Sequence, residues 1–199
     1  MHTFIKMLAS CFLLLSSFLT YQAEAIQLNL TGKDIEEAFE YGTKGRDLSH
    51  AELLSAWRVN LGEGVGSASI VTPFGRIVVL GKEMADRLRD PNEREIKEAL
   101  DENKGKLVFG CTLYGDDTLF ADKYKAVLMY KDKKIEPGKK KVPSSGDFTR
   151  FYPDSPRFRA LCFYIFDVGK IDPNAKVILI LKSGDGEELK FPFDLSKLR

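Results

Sequence analysis

Histidine is nearly missing from this sequence, with two among 199 residues, His2 and His50. A histidine-rich metal site cannot be assembled from so few, and His50 has no Cys, His or acidic partner beside it at metal spacing. A Ser-His-Asp or Cys-His triad would have to use His50, and no nucleophile-elbow motif is present. Excess charge of one sign is missing as well. Thirty Lys and Arg against 29 Asp and Glu leave +1, so no global field steers the chain to nucleic acid or to a membrane surface. The glycine-rich stretch Gly62-Glu-Gly-Val-Gly66 has neither G-x-G-x-x-G nor Walker spacing and reads as a connector rather than a phosphate cradle. Repeats and low-complexity segments are absent. These absences leave no candidate catalytic residue, no metal ligand set and no implied cofactor. Acidic residues are plentiful, so carboxylate chemistry stays open as the alternative enzyme class.

The first 25 residues read as separate from the fold. Lys6 gives a weak positive start, residues 7–19 are apolar apart from small polar side chains, and Ala23-Glu-Ala25 has the small-x-small form of a cleavage site. The apolar run is shorter than the ~20 residues a membrane-spanning helix needs. A signal peptide over 1–25, cleaved near Ala25, is expected, with a mature protein in the periplasm or secreted. No later stretch is long and apolar enough to span. The mature chain keeps Cys111 and Cys162, and an oxidising compartment allows two cysteines to pair.

Two periodicities divide the mature chain. Thr31-Gly-Lys-Asp34, Ser49-His-Ala-Glu52, Thr72-Pro73 and Asp90-Pro-Asn-Glu93 are helix-start signals. Phe74, Ile77, Val78, Met84 and Leu88 form one helical stripe, expected to be the longest helix. From Lys106 the period becomes two. Leu107, Phe109, Cys111 and Leu113 share one strand face, and Tyr124, Ala126, Leu128 and Tyr130 share another. The runs over 160–168, 176–182 and 188–195 read as three successive antiparallel strands, the first two apolar on both faces. The expected class is α+β, with N-terminal helices packed on a C-terminal antiparallel β-sandwich of immunoglobulin-like form. The corresponding regions are 1–25 (signal peptide), 26–105 (mainly helical) and 106–199 (antiparallel β).

Between the strands lies a long polar stretch over 132–157. Across 131–141, six lysines face only Asp132 and Glu136, a local charge of +4. Arg150, Phe151, Tyr152 and Arg157 follow. Arginines interleaved with aromatics on a loop are what an interface uses, and Lys139, Lys140 and Lys141 extend that patch toward an anionic ligand. Lysines at strand ends also keep edges from pairing with other chains, which is the plainer account of the same residues. In an immunoglobulin-like sandwich, Cys111 and Cys162 could sit in opposing sheets at disulfide-forming positions, although the tryptophan expected between them is absent; two buried free thiols, on neighbouring strands, are the alternative.

At Thr72-Pro-Phe-Gly-Arg76, Lys106-Leu-Val-Phe and Thr112-Leu-Tyr-Gly-Asp116 the chain resembles bacterial exported proteins of unknown function. The resemblance runs from about Trp57 to the C-terminus and implies export without implying a catalytic residue. The resulting expectation is an exported, non-enzymatic binding or accessory protein of the bacterial envelope. Its partner would be an envelope protein or an anionic ligand, not nucleic acid. A carboxylate-dependent hydrolase or carbohydrate-binding enzyme is the alternative.

Overall fold

The computed structural model describes residues 29–167, 169 and 171–199. The expected signal peptide and its cleavage point lie outside these residues. Four helices, α1 (Gly32–Lys44), α2 (His50–Leu53), α3 (Pro73–Asp86) and α4 (Glu93–Asp101), accompany two antiparallel sheets. The class is α+β, as the two periodicities imply.

Each helix starts where its capping chemistry places it. Thr31 Oγ1 accepts from the Asp34 N–H, and the Asp34 carboxylate accepts in return from the Thr31 N–H at 2.8 Å. Ser49 with Glu52 and Asn92 with Glu95 repeat the reciprocal arrangement. Thr72 caps α3 by accepting from the Gly75 N–H at 2.9 Å, with Pro73 at the first helical position. Such caps satisfy N–H groups that would otherwise lack partners, each contributing about 1 kcal/mol. Helix α3 ends at Asp86, so Leu88 does not extend its apolar stripe. Leu88 takes a positive φ of 54° and is 80% exposed.

The first sheet runs β1 (Arg58–Asn60), β2 (Gly66–Val71), β3 (Lys106–Gly115), β8 (Phe158–Asp167) and β6 (Lys139–Lys141), with β7 (Asp147–Phe148) also paired to β8. The second runs β10 (Glu188–Asp194), β9 (Lys176–Lys182), β4 (Lys125–Tyr130) and β5 (Lys133–Ile135). Two strands from before residue 105 therefore complete a sheet made mainly by the later part of the chain. The expected run of three successive paired strands does not form. β9 pairs with β10 and β4, whereas β8 is flanked by β3 and β6 in the other sheet. The apolar composition of β8 and β9 also misleads about burial. Each buries alternate residues only, leaving Leu161 55% and Ile178 40% exposed. Surface apolar residues are common, so composition alone cannot distinguish a two-faced core strand from this.

The buried faces meet in one core. Phe109 of β3 lies 5.3 Å, centroid to centroid, from Phe193 of β10, and edge-on to Phe166 of β8. Leu113, Leu128, Leu179, Leu181 and Phe191 are fully buried there, each contributing about 2 kcal/mol in apolar transfer. The sheets pack but do not close on one another. The helices join this core through Trp57, stacked on Phe74, and through the chain end. The backbone oxygen of Arg199 accepts from Trp57 Nε1 at 2.8 Å and from Thr72 Oγ1 at 2.6 Å.

Candidate functional site

The sequence-predicted binding residues do not gather in one place. Lys139, Lys140 and Lys141 form β6, the edge of the first sheet, with Lys141 opposite Phe163 and Lys139 opposite Ile165. Arg150, Phe151, Tyr152 and Arg157 belong to a loop that meets β8 at its other end, where Phe148 pairs with Phe158. Five residue steps along β8, from Phe158 to Phe163, separate these contacts by about 16 Å. The two groups therefore face different surroundings.

The 149–157 loop is tied down by Thr149, whose buried hydroxyl donates to the Pro156 carbonyl at 2.5 Å and accepts from the Phe151 N–H. Its arginines are already engaged. Arg150 bonds to Glu63 in the β1–β2 turn and lies over the Phe151 ring, and Arg157 faces Asp116 at 3.6 Å. Tyr152 and Phe148 stay exposed and pack together at 4.5 Å. Lys140 pairs with Asp122 at 2.9 Å. The loop residues are held in place by ion pairs, and Phe148 and Tyr152 present the apolar surface.

Beside this loop is a cleft of about 640 Å³ that the sequence patterns did not indicate. Four connections form its walls: the β1–β2 turn at Gly64 and Val65, the Asp116-Asp117 turn after β3, Ser155 and Pro156, and the β9–β10 turn from Ser183 to Glu187. Phe120 and Tyr124 also line it, edge-on to each other at 6.3 Å. Phe120 fits there because Gly115 and Gly146 leave room. A Cβ on Gly115 would sit 2.4 Å from the Phe120 ring, and one on Gly146 2.9 Å from it.

The acids of the cleft are mostly occupied by donors. Asp116 accepts from the Ser155 hydroxyl at 2.8 Å and the Arg157 N–H at 3.1 Å, and Asp117 bonds to Lys123 at 2.7 Å. Asp185 accepts from the Ser183 hydroxyl. These donors hold all three carboxyls below the usual carboxylate range. In contrast, burial and the neighbouring Glu187 and Asp185 carboxylates push the Tyr124 phenol up. Asp116, Asp117 and Asp185 lie in connections between strands, and their convergence with Tyr124 and Glu187 spans some 70 residues and carries no spacing signal. Among the described residues no group of three or more His, Cys, Asp or Glu is arranged to hold a metal ion, and His50 is exposed on α2.

Cys111 and Cys162 are not placed in opposing sheets. They are free, fully buried thiols at directly paired positions of the neighbouring strands β3 and β8. Burial pushes both thiols up, Cys162 to about 11, which suppresses the thiolate a nucleophile requires.

No family model matches the chain, and no curated protein matches it. Among solved structures it is similar to the archaellum periplasmic stator protein FlaG from Sulfolobus acidocaldarius. The identity is 11% and the TM-score 0.32, over 45% of this chain and 86% of that one. A likeness at that level carries no argument about mechanism. No helix among the described residues is long and apolar enough to cross a membrane.

Proposed function

We propose that this chain is an exported, non-enzymatic binding or accessory protein of the bacterial cell envelope, with an immunoglobulin-like sandwich as scaffold. Its working surface is the end of the two sheets where four connections converge. The observation that carries this reading is the construction of that end. The 149–157 loop is fixed by Thr149, Glu63 and Asp116, its Ser155 and Pro156 line a cleft, and its Tyr152 stays exposed against Phe148 of β7. Loops held rigidly by a sheet scaffold are a common way to present a recognition surface. Export rests on the leader and the Ala23-Glu-Ala25 site of the sequence. The Lys139–Lys141 edge serves chiefly to prevent strand pairing with other chains, and it is the place an anionic ligand would meet.

The acids and aromatics lining the cleft are what favours the hydrolase reading. Glycoside hydrolysis, however, needs one carboxyl kept protonated by a raised pKa. Asp116, Asp117 and Asp185 are all shifted the opposite way. The binding reading is therefore preferred.

The test is a pull-down from envelope extract with the mature chain, run beside a variant carrying Arg150→Ser, Phe151→Ser and Tyr152→Ser. A stoichiometric partner retained by the wild type and lost by the variant, at unchanged melting temperature, supports the reading. Equal recovery by both would remove the loop from the interface. Mass spectrometry of the exported protein is expected to find a terminus at Ile26, and an intact Met1 would contradict cleavage.

A further inference from the structure

The outer face of the second sheet carries an apolar patch open to solvent. Leu128, Leu179, Leu181 and Phe191 point into the core, so the alternate residues of β4, β9 and β10 point away from it. Register sets those residues in rows across the strands. Pro192, Ile178, Met129 and Lys134 lie side by side, and Lys190, Ile180 and Val127 form the next row. The apolar members of the two rows are all partly or fully exposed, and none of them packs against the core cluster. Contiguous exposed apolar surface of this kind marks an interaction site, as scattered apolar residues do not.

Lysines frame the patch. Lys125 and Lys182 stand directly opposite one another at one end, Lys134 closes the Met129 row, Lys190 lies beside Ile180, and Lys176 lies at the other end. Glu188 and Asp194 are the acids on the same face, which leaves a local excess of +3. Lys190 pairs with Glu188 at 3.6 Å, and Asp194 faces Lys176 and Lys197. Lys125, Lys134 and Lys182 join no ion pair among the described residues. Like charges set directly opposite across a strand pair repel, so an anion laid over Lys125 and Lys182 relieves a cost that the protein itself leaves standing. The nearby acids Asp185 and Glu187 belong to the loop-end cleft.

We propose that this face rests on an anionic lipid surface, with its lysines over the lipid phosphates and Val127, Met129, Ile178 and Ile180 against the acyl boundary. Lysine is a compact point charge without the fixed fork of arginine, which suits a fluid array of phosphates. The buried centres of protein interfaces favour aromatics and arginine and are poor in lysine, and these rows hold neither aromatic nor arginine. A second copy would set lysines against lysines. The whole chain carries only +1, so the attraction acts through one face and not through a global field. The 149–157 loop adjoins β8 of the first sheet, so lipid contact here and partner binding there are separate properties.

The test is sedimentation of the full mature chain with vesicles of phosphatidylglycerol and phosphatidylcholine in equal parts, beside vesicles of phosphatidylcholine alone. Binding to the anionic vesicles is expected, weakening as salt is raised, with little binding to the neutral ones. A variant carrying Lys125→Gln, Lys134→Gln and Lys182→Gln is expected to lose about a hundred-fold, at about five-fold per lysine, with its melting temperature unchanged. Ile178→Ser should weaken binding several-fold with every charge intact. A control carrying Lys139→Gln, Lys140→Gln and Lys141→Gln, on the other sheet, should bind nearly as the wild type does. The proposal is overturned by equal binding to both vesicles, by a face variant that binds as the wild type does, or by an equal loss in the control. Tighter binding to soluble polyglutamate than to vesicles would give the face to an acidic protein instead. Dimerisation in ultracentrifugation that Ile178→Ser abolishes would give it to a second copy. Recovery of an envelope protein through the 149–157 loop, without vesicle binding, would leave the binding-module reading standing and remove the lipid assignment.

Discussion

Tyr164 is fully buried on β8, and among the described residues its hydroxyl has no hydrogen-bond partner. Burial, with Cys162 and Cys111 beside it, pushes the phenol far above its ordinary value. Removing an unpaired buried hydroxyl removes its desolvation cost, so Tyr164→Phe is expected to stabilise the protein by about 1 kcal/mol in urea unfolding. A loss of stability would show that the hydroxyl is paired. The neighbouring thiols allow a second check. Cys111 and Cys162 should both resist alkylation in the folded protein and both react once it is unfolded without reductant. Directly opposed residues on antiparallel strands have Cβ atoms about 4.5–5.5 Å apart, close to what a disulfide spans. An unfolded, unreduced sample with no reactive thiol would therefore carry a cross-strand bridge.

Among the elements, α1 and α3 depend on two glycines for their contact. A Cβ on Gly42 would lie 1.9 Å from the Val78 carbonyl oxygen, and one on Gly81 2.5 Å from the Phe39 carbonyl oxygen. Both obstacles are backbone, which cannot swing aside as a side chain can. Gly42→Ala must push the helices apart, although alanine has the better helix propensity. The expected cost is about 3 kcal/mol, seen as a lower denaturant midpoint. A neutral result would mean the helices sit further apart. The contact also holds the α1 C-terminus, where buried Lys82 donates to the Arg46 carbonyl oxygen and lies 3.8 Å from Asp86.

For the whole molecule, carboxylates bind its parts together. Arg199, stacked over Phe74 at 4.8 Å, holds Glu37 through paired bonds of 2.5 and 3.0 Å and reaches Asp34 at 3.7 Å. Its bonds push Glu37 down, while Asp34 is lowered mainly by Thr31. Arg89 and Asn92 hold Glu95 at about 2. A carboxyl whose folded pKa lies below its unfolded value contributes stability above the unfolded pKa and loses it as pH falls through the folded one. For Glu95 that window runs from about 4.5 down to about 2. The urea midpoint should thus hold from about pH 7 to about pH 5 and then fall. Arg89→Ala should make the fall shallower, and a midpoint that rises on acidification would contradict the assignment.

The sequence by itself determined the α+β class, the helix starts and most strand faces, because those depend on neighbours in the chain. A cap is set by residues three apart, as with Ser49 and Glu52, and strand alternation is set by residues two apart, as from Leu107 to Leu113. Only the tertiary structure decided which strands pair. It separated β8 from β9 and drew β1 and β2 into the first sheet. It also placed Cys111 beside Cys162, engaged Arg150 and Arg157 with acids, and brought Tyr124 to Asp185 and Glu187. Those outcomes depend on contacts between residues tens of positions apart. The energy of such contacts comes from packing and charge in three dimensions, and no local spacing records it.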